Sequence, residues 1–301
     1  MITKKSRILI TGCGGMLGDA VYPFFSNVCK VKATDIDLNE KWLSYLDVRD
    51  YNALEKEVLK FKPTAIFHLA ALTDLEYCES NPQESYRTNS MGTENVIDLC
   101  KKHNLLMIYI TTAGAYDGNQ DVYNDYDIPN PINHYAKSKY AGEIAIKQSL
   151  DNYFIFRAGW MIGGGPKKDK KFVKKIIDQI NAGKKELFLV RDKLGTPTYT
   201  HDFAKNMLNV INKGSFGLYN MVCKGEATRF DVAKEMLDIL KPKSKIKLTE
   251  VTSDFWKKEY FAPRPYSEKL VNLKLNLKGL NGMRDWRVCL KEYLKRYKWL
   301  K

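Results

Sequence analysis

Tyr135-Ala136-Lys137-Ser138-Lys139 sets a phenol and an ammonium four residues apart. At the start of a helix, that spacing puts both groups on one face. A neighbouring ammonium favours phenolate, so the pattern predicts a lowered tyrosine pKa. Such a tyrosine can give a proton to a carbonyl oxygen as hydride reaches the carbonyl carbon. The same spacing also describes an ordinary exposed helix pair, so its companions decide. Thr111-Thr112 ends the apolar run Leu105–Ile110, and ligands of open α/β sheets lie beyond strand carboxyl ends. The Thr112 hydroxyl could hold a substrate oxygen beside Tyr135, or could serve as a turn or cap residue. Asn89, in Asn89-Ser90-Met91-Gly92-Thr93, could support the site through hydrogen bonds or act as a helix N-cap.

A second constellation lies near the N-terminus. In Thr11-Gly12-Cys13-Gly14-Gly15-Met16-Leu17-Gly18, Gly12, Gly15 and Gly18 have GxxGxxG spacing. Glycine lets the backbone turn tightly and approach a pyrophosphate, and the following helix N-terminus offers free N–H groups. Asp35 closes the next strand pattern, where a carboxylate can accept from a ribose 2′-hydroxyl and repel a 2′-phosphate. NADH is therefore favoured over NADPH, with Lys32 and Arg49 as cations that could blunt the preference and Asp37 as the other candidate for the ribose. Asp47-Val48 falls where a third-strand turn would meet the adenine; Asp47 also reads as a carboxylate capping a helix.

These groups need a scaffold, and the first half of the chain reads as one. Strand patterns at Arg7–Thr11, Val28–Thr34, Ala65–Ala70, Leu105–Thr111 and Tyr153–Arg157 alternate with helical ones from Leu17 and over Ala53–Phe61, Asn89–His103 and Tyr135–Leu150. Such alternation predicts an α/β fold, a Rossmann-type doubly wound parallel sheet. After Trp160 the rhythm changes. Gly163-Gly164-Gly165-Pro166 reads as a flexible turn, followed by a lysine-rich helix Lys170–Ala182. Further on come strand patterns at 188–190, 217–220 and 246–251 and a helix Arg229–Leu240. The expected division is a dinucleotide-binding domain over 1–160 with returning segments near 184–222. A smaller interleaved C-terminal α/β substrate lobe takes 161–183 and 223–301.

The chain has 301 residues and a net charge of +14. Residues 1–160 hold 17 basic and 20 acidic side chains, and residues 161–301 hold 32 and 15. The excess in the second half is either a lysine-rich solvated surface or a steering field for a phosphorylated substrate. No recognition helix or aromatic-basic RNA motif accompanies it, so specific nucleic-acid binding is not expected. No apolar run is long enough for a membrane span. Met1-Ile2-Thr3-Lys4-Lys5 leads directly into a strand pattern without a signal-peptide core, which predicts a cytoplasmic protein. The six cysteines form no CxxC pair and only four histidines could join them, so reduced buried thiols are expected rather than a disulfide framework or zinc site.

Together, Thr11–Gly18, Asn89, Thr111-Thr112 and Tyr135–Lys139 resemble the extended short-chain dehydrogenase/reductases, and within them the dTDP-4-dehydrorhamnose reductases. Ala70-Ala71-Leu72-Thr73, Tyr116-Asp117-Gly118, Lys139-Tyr140-Ala141-Gly142-Glu143, Phe156-Arg157-Ala158-Gly159-Trp160 and Arg264-Pro265-Tyr266-Ser267 extend the likeness along nearly the whole chain. The resemblance implies NAD(P)H-dependent reduction of a 4-keto group on a nucleotide-linked 6-deoxysugar. It implies Thr112, Tyr135 and Lys139 as catalytic residues. Gly12, Gly15, Met16, Leu17, Gly18, Asp35, Asp47, Val48, Leu69, Ala70 and Ala71 would join Tyr135 and Lys139 around the cofactor. Leu75, Thr112, Ala113, Tyr135, Trp160 and Arg264 would meet the substrate, with Asn89 as support. Two positions depart from the pattern. Ala113-Gly114 replace an Asp-Tyr pair that typically follows the family's threonine, and Ala20 stands where magnesium-binding members carry glutamate, so no metal is expected. A nucleotide-sugar epimerase and a non-catalytic reductase-like regulatory subunit remain the alternatives, and a homodimer is an open expectation.

Overall fold

Strands that are apolar on both faces need cover on both sides. In the computed structural model, which describes residues 1–300, strands β1 (Arg7–Thr11), β2 (Lys30–Asp35), β3 (Leu43–Tyr45), β4 (Ala65–His68), β5 (Leu106–Thr112) and β6 (Tyr153–Ala158) supply most of one sheet. They are followed by β7 (Trp160–Ile162), β8 (Glu186–Val190), β9 (Leu194–Gly195), β10 (Pro197–Tyr199), β11 (Gly217–Asn220), β12 (Lys247–Val251) and β13 (Ser267–Glu268). The seven-stranded parallel sheet has the order β11-β6-β5-β4-β1-β2-β3. The order reverses between β1 and β4, which opens a crevice at their carboxyl ends.

Alternate residues of each strand face opposite layers. Ile8, Ile10, Phe154 and Phe156 pack with Val21, Phe25, Phe203 and Met207 of helices Gly18–Ser26 and Thr200–Lys213. Leu9 and Ile155 pack on the other face with Leu54, Val96, Leu99, Cys100 and Ile146. The helix His134–Ser149 carries Tyr135 and Lys139, and Asn133 caps it by accepting from Ala136 N at 2.8 Å. Such a cap stabilises a helix by about 1 kcal/mol. A fully buried Arg157–Glu143 pair then clamps this helix to β6, with Arg157 also donating to the Tyr116 hydroxyl at 2.6 Å.

Three parallel pairs, β7–β10, β8–β12 and β9–β13, build the rest of the α/β framework beside the carboxyl ends of the main strands. The expected return of residues 184–222 to the main layer divides here. Thr200–Lys213 and β11 lie in that layer, whereas β8 pairs with β12. Burial alternates along β8, as suits a sheet open on one face, while β11 is largely enclosed. The expected helix from Asn89 starts instead with a π-helical turn, Arg87–Met91, and becomes α-helical at Gly92. The triple-glycine segment is a packed turn. Gly164 and Gly165 have φ of 81° and 59°, and Gly163 O accepts from the Tyr293 hydroxyl at 2.8 Å. All six cysteines are free. Among the described residues no helix is long and apolar enough to cross a membrane, and no three His, Cys, Asp or Glu side chains gather into a metal-sized group.

Candidate active site

Loops at the carboxyl ends of β1, β2, β4, β5 and β6 meet the C-terminal lobe around one cleft of about 1010 Å³. The glycine loop forms its floor. Gly12 has φ of 71°, and a Cβ there would stand 2.3 Å from Ala70 Cα, so only glycine lets β1 turn against the β4 loop. A Cβ on Gly18 would meet Cys13 O at 2.0 Å. Gly15 differs: a Cβ there would meet nothing nearer than Gly12 O at 3.8 Å. That open side leaves room for a phosphate above the first turn of Gly18–Ser26, whose N-cap residue Leu17 supplies no side-chain acceptor. This cradle fits the pyrophosphate of a dinucleotide.

Asp35 stands at the end of β2 with both oxygens engaged. Oδ2 accepts from Gly14 N at 2.8 Å and Oδ1 from Asp37 N at 2.9 Å. Asp47 accepts from Arg49, and the guanidinium holds its carboxyl below the usual range. Arg49 also reaches Glu84 at 3.1 Å. The helix cap nearby is Asp50, not Asp47. Leu69, Ala70 and Ala71 form the cleft wall beside Gly12. Asn89 holds that wall in place. It is buried, accepts from Leu72 N at 2.8 Å, and donates to Leu72 O and Ser138 Oγ at 3.0 Å each. Its π-helical position makes it a brace between the β4 loop and the Tyr135 helix rather than an N-cap.

Thr112, Tyr135 and Lys139 all face the cleft. Thr112 Oγ1 accepts from Gly114 N at 3.0 Å. The expected lowering of the Tyr135 pKa is corrected: burial pushes the phenol up to about 12, the Thr112 hydrogen bond pulls weakly the other way, and Cys78 and Glu268 add to the rise. Lys139 does not offset this, because burial draws its own pKa down to about 7 against a smaller opposing pull from Glu143. Its Nζ lies 4.0 Å from the centre of the Tyr109 ring. A phenol that keeps its proton is suited to donate it. Behind the site, Thr93 donates to Asn89 O, so His68 Nε2 donates to Thr93 and Nδ1 accepts from Thr11. Burial lowers the His68 pKa to about 3, which keeps the ring neutral.

Of the residues expected at the substrate, Leu75, Trp160, Arg264, Thr112 and Tyr135 all line the cleft. Ala113 is not among them. It is buried in a separate apolar cluster with Tyr116, Tyr123, Val222 and Leu270, because the 3-10 turn Ala113–Ala115 carries it behind β5. Gly114 takes its place on the cleft wall. Arg264 pairs with Glu76 at 2.7 Å and donates to Ala262 O, which braces its loop at the cleft rim. Several lining residues carried no motif in the sequence: Glu268, Arg229, Lys171 and Lys193. The Arg229 guanidinium covers the Trp160 ring at 3.7 Å, and burial lowers its pKa to about 10. Lys167, Lys168, Lys170 and Lys175 also line the cleft, so part of the positive excess of the second half is concentrated here.

This geometry has close counterparts. The chain is 28% identical over 291 residues to a dTDP-4-dehydrorhamnose reductase of Mycolicibacterium smegmatis, covering 95% of this chain and 84% of that protein. It is 27% identical to methionine adenosyltransferase 2 subunit beta of Xenopus laevis, over 96% of this chain and 87% of that one. Among solved structures, dTDP-4-dehydrorhamnose reductase from Bacillus anthracis, in complex with NADP, superposes with a TM-score of 0.87. It is 26% identical and covers 97% of this chain and 100% of its own. The family described as the RmlD substrate binding domain matches residues 6–299. With that match running through the sheet, the glycine loop and the lobe alike, the chain belongs to the RmlD substrate-binding-domain family, within the extended short-chain dehydrogenase/reductase fold.

Proposed function

We propose that the protein reduces the 4-keto group of a nucleotide-linked deoxysugar, using NAD(P)H. The observation that carries this reading is the meeting of Thr112, the protonated Tyr135 and Lys139 with the glycine cradle in one cleft. The nicotinamide, when bound, supplies the hydride. Thr112 and Tyr135 hold the carbonyl oxygen, and Tyr135 gives it a proton as the alkoxide forms. Lys139, facing the cleft from the same helix, would donate to the nicotinamide ribose, since its amine keeps N–H donors whether or not it carries the extra proton. Asn89 acts through the β4 loop. The lobe of residues 161–183 and 223–301 is assigned to the substrate, and its lysines attract the diphosphate.

Within this reading NADH is the preferred donor. The support for this is Asp35, held by Gly14 N and Asp37 N at the end of β2, because a carboxylate beside the ribose would repel a 2′-phosphate. Arg49 is paired with Asp47 and Glu84, and Lys32 lies 3.8 Å from Glu57, which draws both cations toward other carboxylates. Incubating the protein with NADH or NADPH and a dTDP-4-keto-6-deoxyhexose tests the proposal by loss of nicotinamide absorbance. Absence of turnover across a panel of nucleotide-linked 4-keto sugars would overturn it. The likeness to the Xenopus subunit supports a second reading, a regulatory subunit. That reading expects a stable complex with a partner enzyme and no ligand-dependent thermal shift.

A further inference from the structure

At Gly114, on the cleft wall, a carboxylate and the Thr112 hydroxyl come close together. A Cβ at Gly114 would stand 3.3 Å from Glu268 Oε1, 3.4 Å from Thr112 Oγ1 and 3.6 Å from Ala136 Cβ. Glu268 and Thr112 therefore present oxygens to the same small space. The glutamate comes from β13, whose pairing with β9 sets it opposite Gly195. Its Oε2 accepts from the Trp160 indole N–H at 2.7 Å. Trp160 is itself fixed, with Arg229 over its ring and the Gly195 backbone packed so closely that a Cβ there would lie 2.3 Å from the indole. One carboxylate oxygen is thus spoken for, and the other, Oε1, lies beside Gly114 and near Thr112 on the cleft wall.

An ionised carboxylate can only accept hydrogen bonds. Whatever the ligand places there must donate. In a 4-keto-6-deoxyhexose the carbonyl carbon has two neighbours: C5 carries the methyl group, and C3 carries a hydroxyl. With the carbonyl oxygen on Thr112 and Tyr135, only the C3 side offers a donor. We propose that Glu268 is a specificity-determining residue whose Oε1, beside Gly114 on the cleft wall, accepts a hydrogen bond from the sugar 3-hydroxyl. This rests on the function proposed above and names the group of the substrate that the site reads.

The test measures binding rather than turnover. A dTDP-linked 6-deoxyhexose and its 3-deoxy counterpart are titrated by calorimetry into the wild type, E268Q and E268A. A charge-assisted hydrogen bond in a partly enclosed site predicts that the wild type binds the hydroxylated sugar about 10- to 100-fold more tightly. Glutamine keeps an acceptor for Trp160, so E268Q retains the brace but loses the charge, and the preference should fall to within roughly threefold. E268A should also lose it. If both variants bind the two sugars with the wild-type ratio, Glu268 only braces Trp160 and the proposal is wrong. A wild-type ratio near one, with both sugars bound, overturns the proposal and leaves the reductase reading standing. If the wild type binds neither sugar, both fall.

Discussion

Lys139→Met separates what the buried lysine contributes to the reaction from what it costs the fold. In the folded protein burial draws the Lys139 pKa from 10.5 down to about 7. In the unfolded chain the same group titrates near its ordinary value. Between these two pH values the unfolded chain binds the proton more firmly than the folded one, so this group makes stability rise with pH across that window. Below about pH 7 the folded protein carries the full cost of a desolvated ammonium, on the order of 3–5 kcal/mol for a gap of this size. Methionine fills a similar volume and carries no proton. Urea unfolding of both proteins near pH 6.5 and near pH 10 gives the difference directly, and titrating groups common to the two largely cancel. The variant should be more stable by roughly that amount near pH 6.5, with the advantage shrinking to about 1 kcal/mol near pH 10. It should reduce no substrate at either pH. An advantage that is the same at both pH values would refute the assignment of a desolvated, cation-unfriendly site to Lys139.

Tyr135→Phe should lower the reduction rate by about 10²- to 10⁴-fold while dinucleotide binding, followed by nicotinamide fluorescence, stays within a few-fold; near-normal turnover would remove Tyr135 from its role. Because the phenol keeps its proton to about pH 12, wild-type reduction should show no alkaline loss from this group up to about pH 10. Asn89→Ala leaves both polar groups of Leu72 without their side-chain partner, so it should cost about 2–4 kcal/mol and raise the dinucleotide KM. A fall of under about 0.5 kcal/mol with unchanged KM would mean that the brace is idle. Asp35→Asn keeps an oxygen for Gly14 N but removes the charge, and should raise the NADPH-to-NADH ratio of kcat/KM about tenfold. An unchanged ratio would separate Asp35 from cofactor choice.

Much of the sheet is written in local pattern. β1 and β11 have the expected bounds, and the helix Arg229–Leu240 runs over its full expected length. Short apolar runs between glycine or polar stops leave little else for those segments to be. The helix Thr200–Lys213 went unread, although Phe203, Met207, Val210 and Ile211 recur on one face and are buried. That spacing was a usable signal. β3 has three residues, too few to show a period. That Thr112, Tyr135, Lys139 and the glycine loop would line one cleft was legible because their spacing is set within single elements at strand ends. Glu268 was not, since its place depends on β13 meeting β9, some seventy residues earlier, and on an absent side chain at Gly114. The Tyr135 pKa also inverted the sequence expectation. Spacing along a helix reports direction, whereas desolvation depends on everything packed around the group.

The chain's route between its two layers has a practical consequence. A fragment ending near residue 160 would lack β11, leaving the edge of β6 unpaired, and would lack Thr200–Lys213, which covers Val21 and Phe25. Bare edges and open apolar faces invite self-association. The segment from Thr200 to Asn220 is thus part of the main layer, and a truncation that keeps that layer whole must run past β11. Redesign of the cleft therefore starts from side chains on its rim, with the shared core left whole.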